Sequence, residues 1–463
     1  MPLTTGAISP PEPFIGIPGQ NLTANYGNMG ARNIWGPFEW NGFGYMVLEE
    51  EDDSTALLPK NLRVYRTTPA TAQSGNWTEL DTANRPSYAR AGTCGIDADL
   101  PVLYIGYGHQ TSFNASMFLA FTTFDLSTET WGTKTVSALG MESTGASTDS
   151  LGVIHRSNGN IYFVYDRKVV GLRRVVYSRW NGATFDVSEQ IVDDGGFPSG
   201  FGAEPVAVVD GSADRIHIFY ADYGRQNQGA APYVYHKVLD ASDVLSAQTT
   251  VATITLYTPA EVLAEHPVVS YDDFIMYHTG APGLWQSSIV FPYVTGKKLY
   301  VATATEATPT VWTERLVEGV IRPADAWHEN SIAVAGPAPS NKLYVFWNSW
   351  YKDAGGGPTD PGYQNMLYVS KSPDAITWQT AALYNSLDFP QDLSGNEFPI
   401  HNIQAQYLPA FGVFLIVFDQ YLCSTSFPGQ EVDEEVSAYR PTVVFGSSAG
   451  LRIKDAQGYV GFG

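Results

Sequence analysis

Seven polar residues stand directly before short apolar runs: Arg32 before NIW, Arg90 before AGTCGI, Asp149 before SLGVI, Glu204 before PVAVV, His266 before PVVSY, Glu329 before NSIAV and His401 before NIQAQ. If the runs are equivalent strands, the polar residues converge on one site. Asp149, Glu204 and Glu329 are carboxylates of the kind that glycoside cleavage pairs, one as acid and one as nucleophile or base, roughly 5 to 10 Å apart. His266 and His401, with Tyr271 as acid or base partner, are the types that a lyase needs. These five titratable residues are the catalytic candidates if the chain is an enzyme. All seven, with Tyr271 and Trp327, are the candidate ligand contacts, because aromatic faces beside carboxylates suit sugar rings. The plainer reading is a wet channel mouth whose polar residues are only solvated, and both readings stand at this point.

A second set follows the next apolar run of several units: His109 after YIGYG, Asp166 after YFVY, Asp222 after IFYA, Trp350 and Tyr351 after VFWNS, and Asp419 after LIVF. The expectation is that they open loops between second and third strands, with Asp166 and Asp419 capping turns. Other chemistry is missing. There is no glycine-rich phosphate loop, no nucleophile elbow and no His-x-x-x-His spacing. Glu265-His266 and His328-Glu329 would hold a metal only if the fold gathered them, so neither a metal nor a cofactor is expected.

The elements that must position these residues repeat. Short strands such as VLYIGYG, MFLAFTTF, NIYFVYD, RRVVYSRW, RIHIFYAD, YVYHKVLD and KLYVFWNSW recur, and units close on hairpins carrying Trp77, Trp131, Trp312 and Trp378. Period-two alternation with turn residues between runs describes antiparallel meanders. Unit starts near Asn33, Gly92, Ser150, Pro205, Pro267, Asn330 and Asn402 predict an all-β fold, a single β-propeller of seven four-stranded blades over 33–446. Residues 1–32 are read as an N-terminal arm, with PFIGIPGQN available to complete the last blade, and 447–463 as a C-terminal segment. A pair of β-sandwiches is the alternative.

One hairpin, "SKSPDAITW" with Ser372 to Trp378, resembles the Asp box of sialidase-like propellers, although it lacks the glycine and is one residue short. The other hairpins keep little beyond the Trp. In that family the Asp caps a turn far from the active site, so the resemblance implies a fold and not an activity. A sialidase would also need an arginine triad; Arg32, Arg90 and Arg322 stand near suitable places, but the family's Arg-Ile-Pro motif is missing, which speaks against that activity. The N-terminal "LTTGAIS", with PFIGIPGQ and NLTANYG, resembles segments of bacteriophage tail-fibre and other virion proteins.

Composition bounds the partners. A formal charge of -21 without Lys/Arg clusters argues against nucleic acid and anionic membranes. No run reaches membrane-spanning length, and the N-terminus lacks the basic and apolar regions of a secretory signal, so no membrane insertion is expected. Cys94 and Cys423 read as buried small apolar residues. The combined expectation is a glycan-binding or adhesion propeller, made in the cytoplasm and borne on a virion or released by lysis, with a cell-surface glycan and other virion proteins as partners. A glycan-cleaving hydrolase or lyase, and a purely structural platform, are the alternatives.

Overall fold

The computed structural model describes residues 34–50, 61–72, 77–87, 89–111, 116–142, 151–169, 172–195, 203–222, 233–254, 277–279, 282–295, 298–318, 332–335, 341–352, 363–379, 382–385, 400–411, 413–422, 438–447, 451–455 and 458–462. Helix among them is limited to Pro69–Ala72 and a 3-10 turn, Ser212–Asp214. Everything else regular is antiparallel strand. Six sheets of four or five strands follow one another along the chain, then a three-stranded sheet and a two-stranded hairpin, Leu451–Asp455 with Gly458–Phe462. We number the first six sheets in chain order. Their innermost strands start at Ile34, Ala89, Leu151, Ala203, Tyr277 and Ile332, and that of the three-stranded sheet at Ile400.

The strands are apolar on both faces because each sheet packs between two others. Arg215–Asp222 shows how period two serves two cores. Ile216, Ile218 and Tyr220 join Ile154, Tyr162 and Val164 of the third sheet, while Phe219 and Ala221 join Ile289, Phe291 and Tyr293 of the fifth. The first sheet behaves likewise: Tyr45 and Val47 pack on the second sheet, Met46 and Leu48 on Leu408 and Leu415 of the three-stranded one. Each such side chain contributes about 1.5–3 kcal/mol of apolar burial. The sixth sheet closes the circuit, its strand Ile332–Ala335 lying beside Ile400–Leu408. The protein is therefore an all-β propeller.

Innermost strands of successive sheets run side by side in the same direction. Glycine makes the close approach possible: a Cβ on Gly95 would lie 2.0 Å from the Leu151 carbonyl oxygen, and one on Gly152 2.4 Å from a Val208 methyl. All turns from first to second strand and from third to fourth fall at one end of the ring, here the hairpin end. The starts of the first strands, and the connections from second to third strand and from sheet to sheet, fall at the other.

The Asp-box resemblance extends further than its single quoted hairpin. Asp374 Oδ1 accepts from the Ile376 and Thr377 amides at 2.9 and 2.6 Å and from Ser372 Oγ at 3.0 Å. Those amides hold its carboxyl down at about 2. The equivalent turns of other sheets are capped in the same way: Asp125 accepts from Ser127 N, Asn181 from Ala183 N and Thr184 N, and Asp240 from Ser242 N and Val244 N. The expectation that little but the Trp persists is thus corrected. What persists is the side-chain cap, with Trp131 buried and Trp378 half-buried between sheets.

Candidate functional site

The starts of the innermost strands are where the sequence places its site. Arg90, Glu204 and His401 each occupy the second position of such a strand, in Ala89–Asp99, Ala203–Gly211 and Ile400–Leu408. Three residues from three sheets therefore lie at one end, each one position inside its strand. Arg32, Asp149, His266, Glu329, Tyr271 and Trp327 lie outside the described residues, as do Glu265, Arg322, Cys423 and the 267–271 run.

The second set needs correcting. Asp166 lies inside Ile161–Val169, Trp350 and Tyr351 inside Leu343–Lys352, and Asp419 inside Val413–Leu422, while His109 and Asp222 end their strands. His109 and Asp222 thus stand where the connection to the third strand begins, as expected, whereas at Asp166, Trp350, Tyr351 and Asp419 the second strand continues past the polar residue. Asp166 pairs with Val175 of the next strand, within the ladder and not at its end. The register sets one member of each set face to face, His401 opposite Asp419, while His109 stands opposite Ala89, beside Arg90, and Asp222 opposite Ala203, beside Glu204. Asp166 and His109 are buried side chains at this end, and buried titratable groups are costly unless hydrogen-bonded. Tyr107 is buried there too, and burial raises its hydroxyl pKa.

A different polar group, unmarked in the sequence reading, occupies the hairpin end. Asp97 and Asp99 stand two apart on one innermost strand and face the next one. Asp97 Oδ2 accepts the His155 amide at 2.6 Å, replacing a strand partner that an innermost strand lacks. Asp99 Oδ2 lies 2.9 Å from His155 Nδ1, and the imidazole stacks on Tyr104 at 4.0 Å between centroids. Burial lifts the Asp97 carboxyl to about 7; burial, then Asp214, lifts Asp210 to about 6. Such groups could exchange protons near neutrality. Their contacts, however, run from sheet to sheet: Ser157 Oγ donates to Asp214 at 2.6 Å, and Arg156, fully buried, gives Nη1 to Asp243 at 2.7 Å and Nη2 to the Leu239 carbonyl at 2.8 Å. The alternation Asp97-Ala98-Asp99 was the available signal for this cluster.

The same device recurs around this end. A carboxylate in the outer turn of one sheet reaches back to an arginine of the preceding sheet: Glu129 to Arg66, Asp243 to Arg156 and Arg179, Glu306 to Arg215. The hairpin end is thus a fastening. Among the described residues no group of three or more His, Cys, Asp or Glu is placed to hold a metal ion.

No family model matches this sequence, and no curated protein matches it. Solved structures similar to the chain include an α-L-arabinofuranosidase from Fusarium graminearum, at 11% identity over 93% of this chain and 96% of that one, TM-score 0.44. The NanB sialidase of Streptococcus pneumoniae is similar at 10% identity over 94% of this chain and 70% of that one, TM-score 0.42. A Trypanosoma rangeli sialidase is similar at 10% identity over 90% of this chain and 54% of that one, TM-score 0.40.

Proposed function

We propose that the protein is a glycan-binding propeller of seven blades whose ligand seats at the end where the innermost strands begin. The observation that carries this reading is the shared place of Arg90, Glu204 and His401, each second in an innermost strand at the same end. Arg32, Asp149, His266 and Glu329 complete the ring in this reading, with Tyr271 and Trp327 as sugar-stacking faces. The three-stranded sheet counts as the seventh blade, and the N-terminal arm is the candidate for its missing strand.

Charge supports a sugar ligand. The ring sets three carboxylates against two arginines and two histidines, so the mouth is close to neutral on a chain of formal charge -21. A neutral mouth repels anionic glycans less than the surrounding surface does. The LTTGAIS stretch supports placement on a virion, which would bring a protein made in the cytoplasm to an extracellular glycan after lysis.

The test is incubation with a mixed panel of host-surface and algal polysaccharides, read for retention and for new reducing or unsaturated ends. Retention without new ends is the expected result. New ends would make the protein a hydrolase or lyase acting through the same carboxylates and histidines. Neither retention nor new ends would overturn the reading and leave a structural platform.

A further inference from the structure

The seam between the fourth and fifth sheets contains a file of buried polar side chains that glycan binding does not use. His217 and His236 are neighbours on adjacent strands, 0% and 1% exposed, with His217 Nδ1 3.1 Å from His236 Nε2 and the rings stacked at 5.3 Å. On one side His217 Nε2 lies 3.3 Å from Oε1 of Glu306, which sits in a turn of the fifth sheet. On the other, His236 Nδ1 lies 3.4 Å from Thr249 Oγ1, which also accepts Trp312 Nε1–H at 3.3 Å. Ser212 Oγ and Arg215 Nη2 donate to the second Glu306 oxygen at 2.5 and 3.2 Å.

The protons in this file have one arrangement. Burial pushes Glu306 up, but the hydrogen bonds from Ser212 and His217 and the charge of Arg215 outweigh it and hold the carboxyl below its ordinary value. An ionised Glu306 can only accept, so His217 carries its proton on Nε2. Its Nδ1 must then accept from His236 Nε2–H, which leaves His236 Nδ1 as an acceptor facing the Thr249 hydroxyl, whose proton has that nitrogen and the His236 carbonyl as acceptors at 3.4 Å. One added proton can be taken up by reversing the file: His217 gains Nδ1–H and His236 moves its proton to Nδ1, facing Thr249. A second cannot, because it sets His217 Nδ1–H against His236 Nε2–H at the observed 3.1 Å.

We propose that this file is an acid-sensitive latch, closing the seam between the fourth and fifth sheets while the imidazoles hold no more than one extra proton and releasing it when both are charged. The charged groups acting on His217 are Glu306 and Arg215, and His236 feels His217. The remaining neighbours, Phe219, Phe291, Trp312, Ser212 and Thr249, are neutral. Burial lowers both histidines, His236 to about 3. A histidine whose folded pKa is lowered contributes stability that is complete above about 6.5 and is lost as pH falls toward the folded value. At pH 5 the open seam gains roughly 30-fold from His236 alone.

Hydrogen exchange of the intact protein, corrected for the intrinsic chemical rate, tests the latch. Protection of residues 234–239, 249–253 and 299–306 should drop at least about 30-fold between pH 8 and pH 5, and the drop should shrink severalfold in the His217→Gln/His236→Gln double variant. Unchanged wild-type protection would overturn the proposal, as would an equal drop in the variant. If the double variant does not fold, imidazole NMR of the wild type decides. Charging of both rings over the pH range in which protection is lost supports the latch, and loss of protection with both rings neutral refutes it.

Discussion

At the hairpin end the chain reverses within a few residues, through Asn41-Gly42 with φ of 50 and 80°, through Leu100-Pro101 or through Gln286-Ser287. At the strand-start end consecutive described strands stand further apart along the chain, Asp222 from Tyr233, Glu318 from Ile332 and Asn385 from Ile400. Short turns with positive φ match the twist of the strands they join and leave little room for variation. Long connections on a rigid frame are where binding residues gather. The carboxylates divide along the same line. At the hairpin end Asp97, Asp125, Asp240 and Asp374 satisfy backbone amides, and Glu129, Asp243 and Glu306 grip arginines of the preceding sheet; at the other end Asp193 fastens only its own sheet, accepting from Arg174 Nε at 2.6 Å and from the Val175 amide at 2.8 Å.

If the hairpin end and the axis beside it are the frame, damage there should reach the whole fold. The largest effect is expected from Gly95→Ala, whose new methyl would meet the Leu151 carbonyl and force two innermost strands apart. Overpacking against backbone has no side chain to yield, and a loss of about 3 kcal/mol or more is expected in denaturant unfolding. A stability within 1 kcal/mol of wild type would mean that the innermost strands are not packed as tightly as they stand here.

Next is Asp243→Ala. The Arg156 side chain is fully buried and would lose its carboxylate, keeping the Leu239 carbonyl and Tyr162 as neighbours. About 3 kcal/mol is expected, the low end for breaking a buried pair, since Asp243 itself is partly solvated. Asp243→Asn should recover part of the loss. Equal losses in the two variants would show that the charge is immaterial.

Much of this frame was legible in the sequence, and the reason for the rest is physical. Arg215–Asp222 was legible to the residue, because period-two alternation survives when both faces are buried. The caps at Asp125, Asn181 and Asp240 were not, because turns of different length put them at different distances from the following aromatic or aliphatic residue. The pairs Glu129 with Arg66 and Asp243 with Arg156 join units far apart in sequence, which no local pattern signals. Asp166 and Asp419 misled for the opposite reason: a polar residue after an apolar run resembles a strand end, yet here the strand runs on. The candidate ring itself is legible only as a repeated position before apolar runs, and of its members Arg90, Glu204 and His401 lie near the starts of innermost strands.

A separate effect, read as a slope and not as a single loss, should appear as a pH profile at Asp97. Its folded pKa of about 7 lies above the ordinary carboxylate value, so the folded chain holds the proton that the unfolded chain releases. The folded state is favoured below about pH 4, and this advantage is lost as pH rises toward 7. Asp97→Asn keeps an acceptor for the His155 amide and removes the titration. The variant should gain stability relative to wild type as pH rises from 4 to 8, measured by melting. Parallel profiles would mean that Asp97 is ionised throughout and that its fastening role is purely geometric.

The smallest effect on stability, and the one that tests the other end, is expected from Glu204→Ala and His401→Ala. Both residues sit one position inside a strand start, before the strand enters the two cores, and each change should leave the melting transition within about 0.5 kcal/mol of wild type. Glycan retention should nevertheless fall, because loss of one contact from a converging site weakens binding without unfolding the frame. The two variants also separate capture from cleavage. If retention persists while product formation stops, the residues act on bonds and not on binding. If both changes lower the melting temperature as Asp243→Ala does, the strand starts are part of the fastening. The contrast between the ends would then be one of loop length alone.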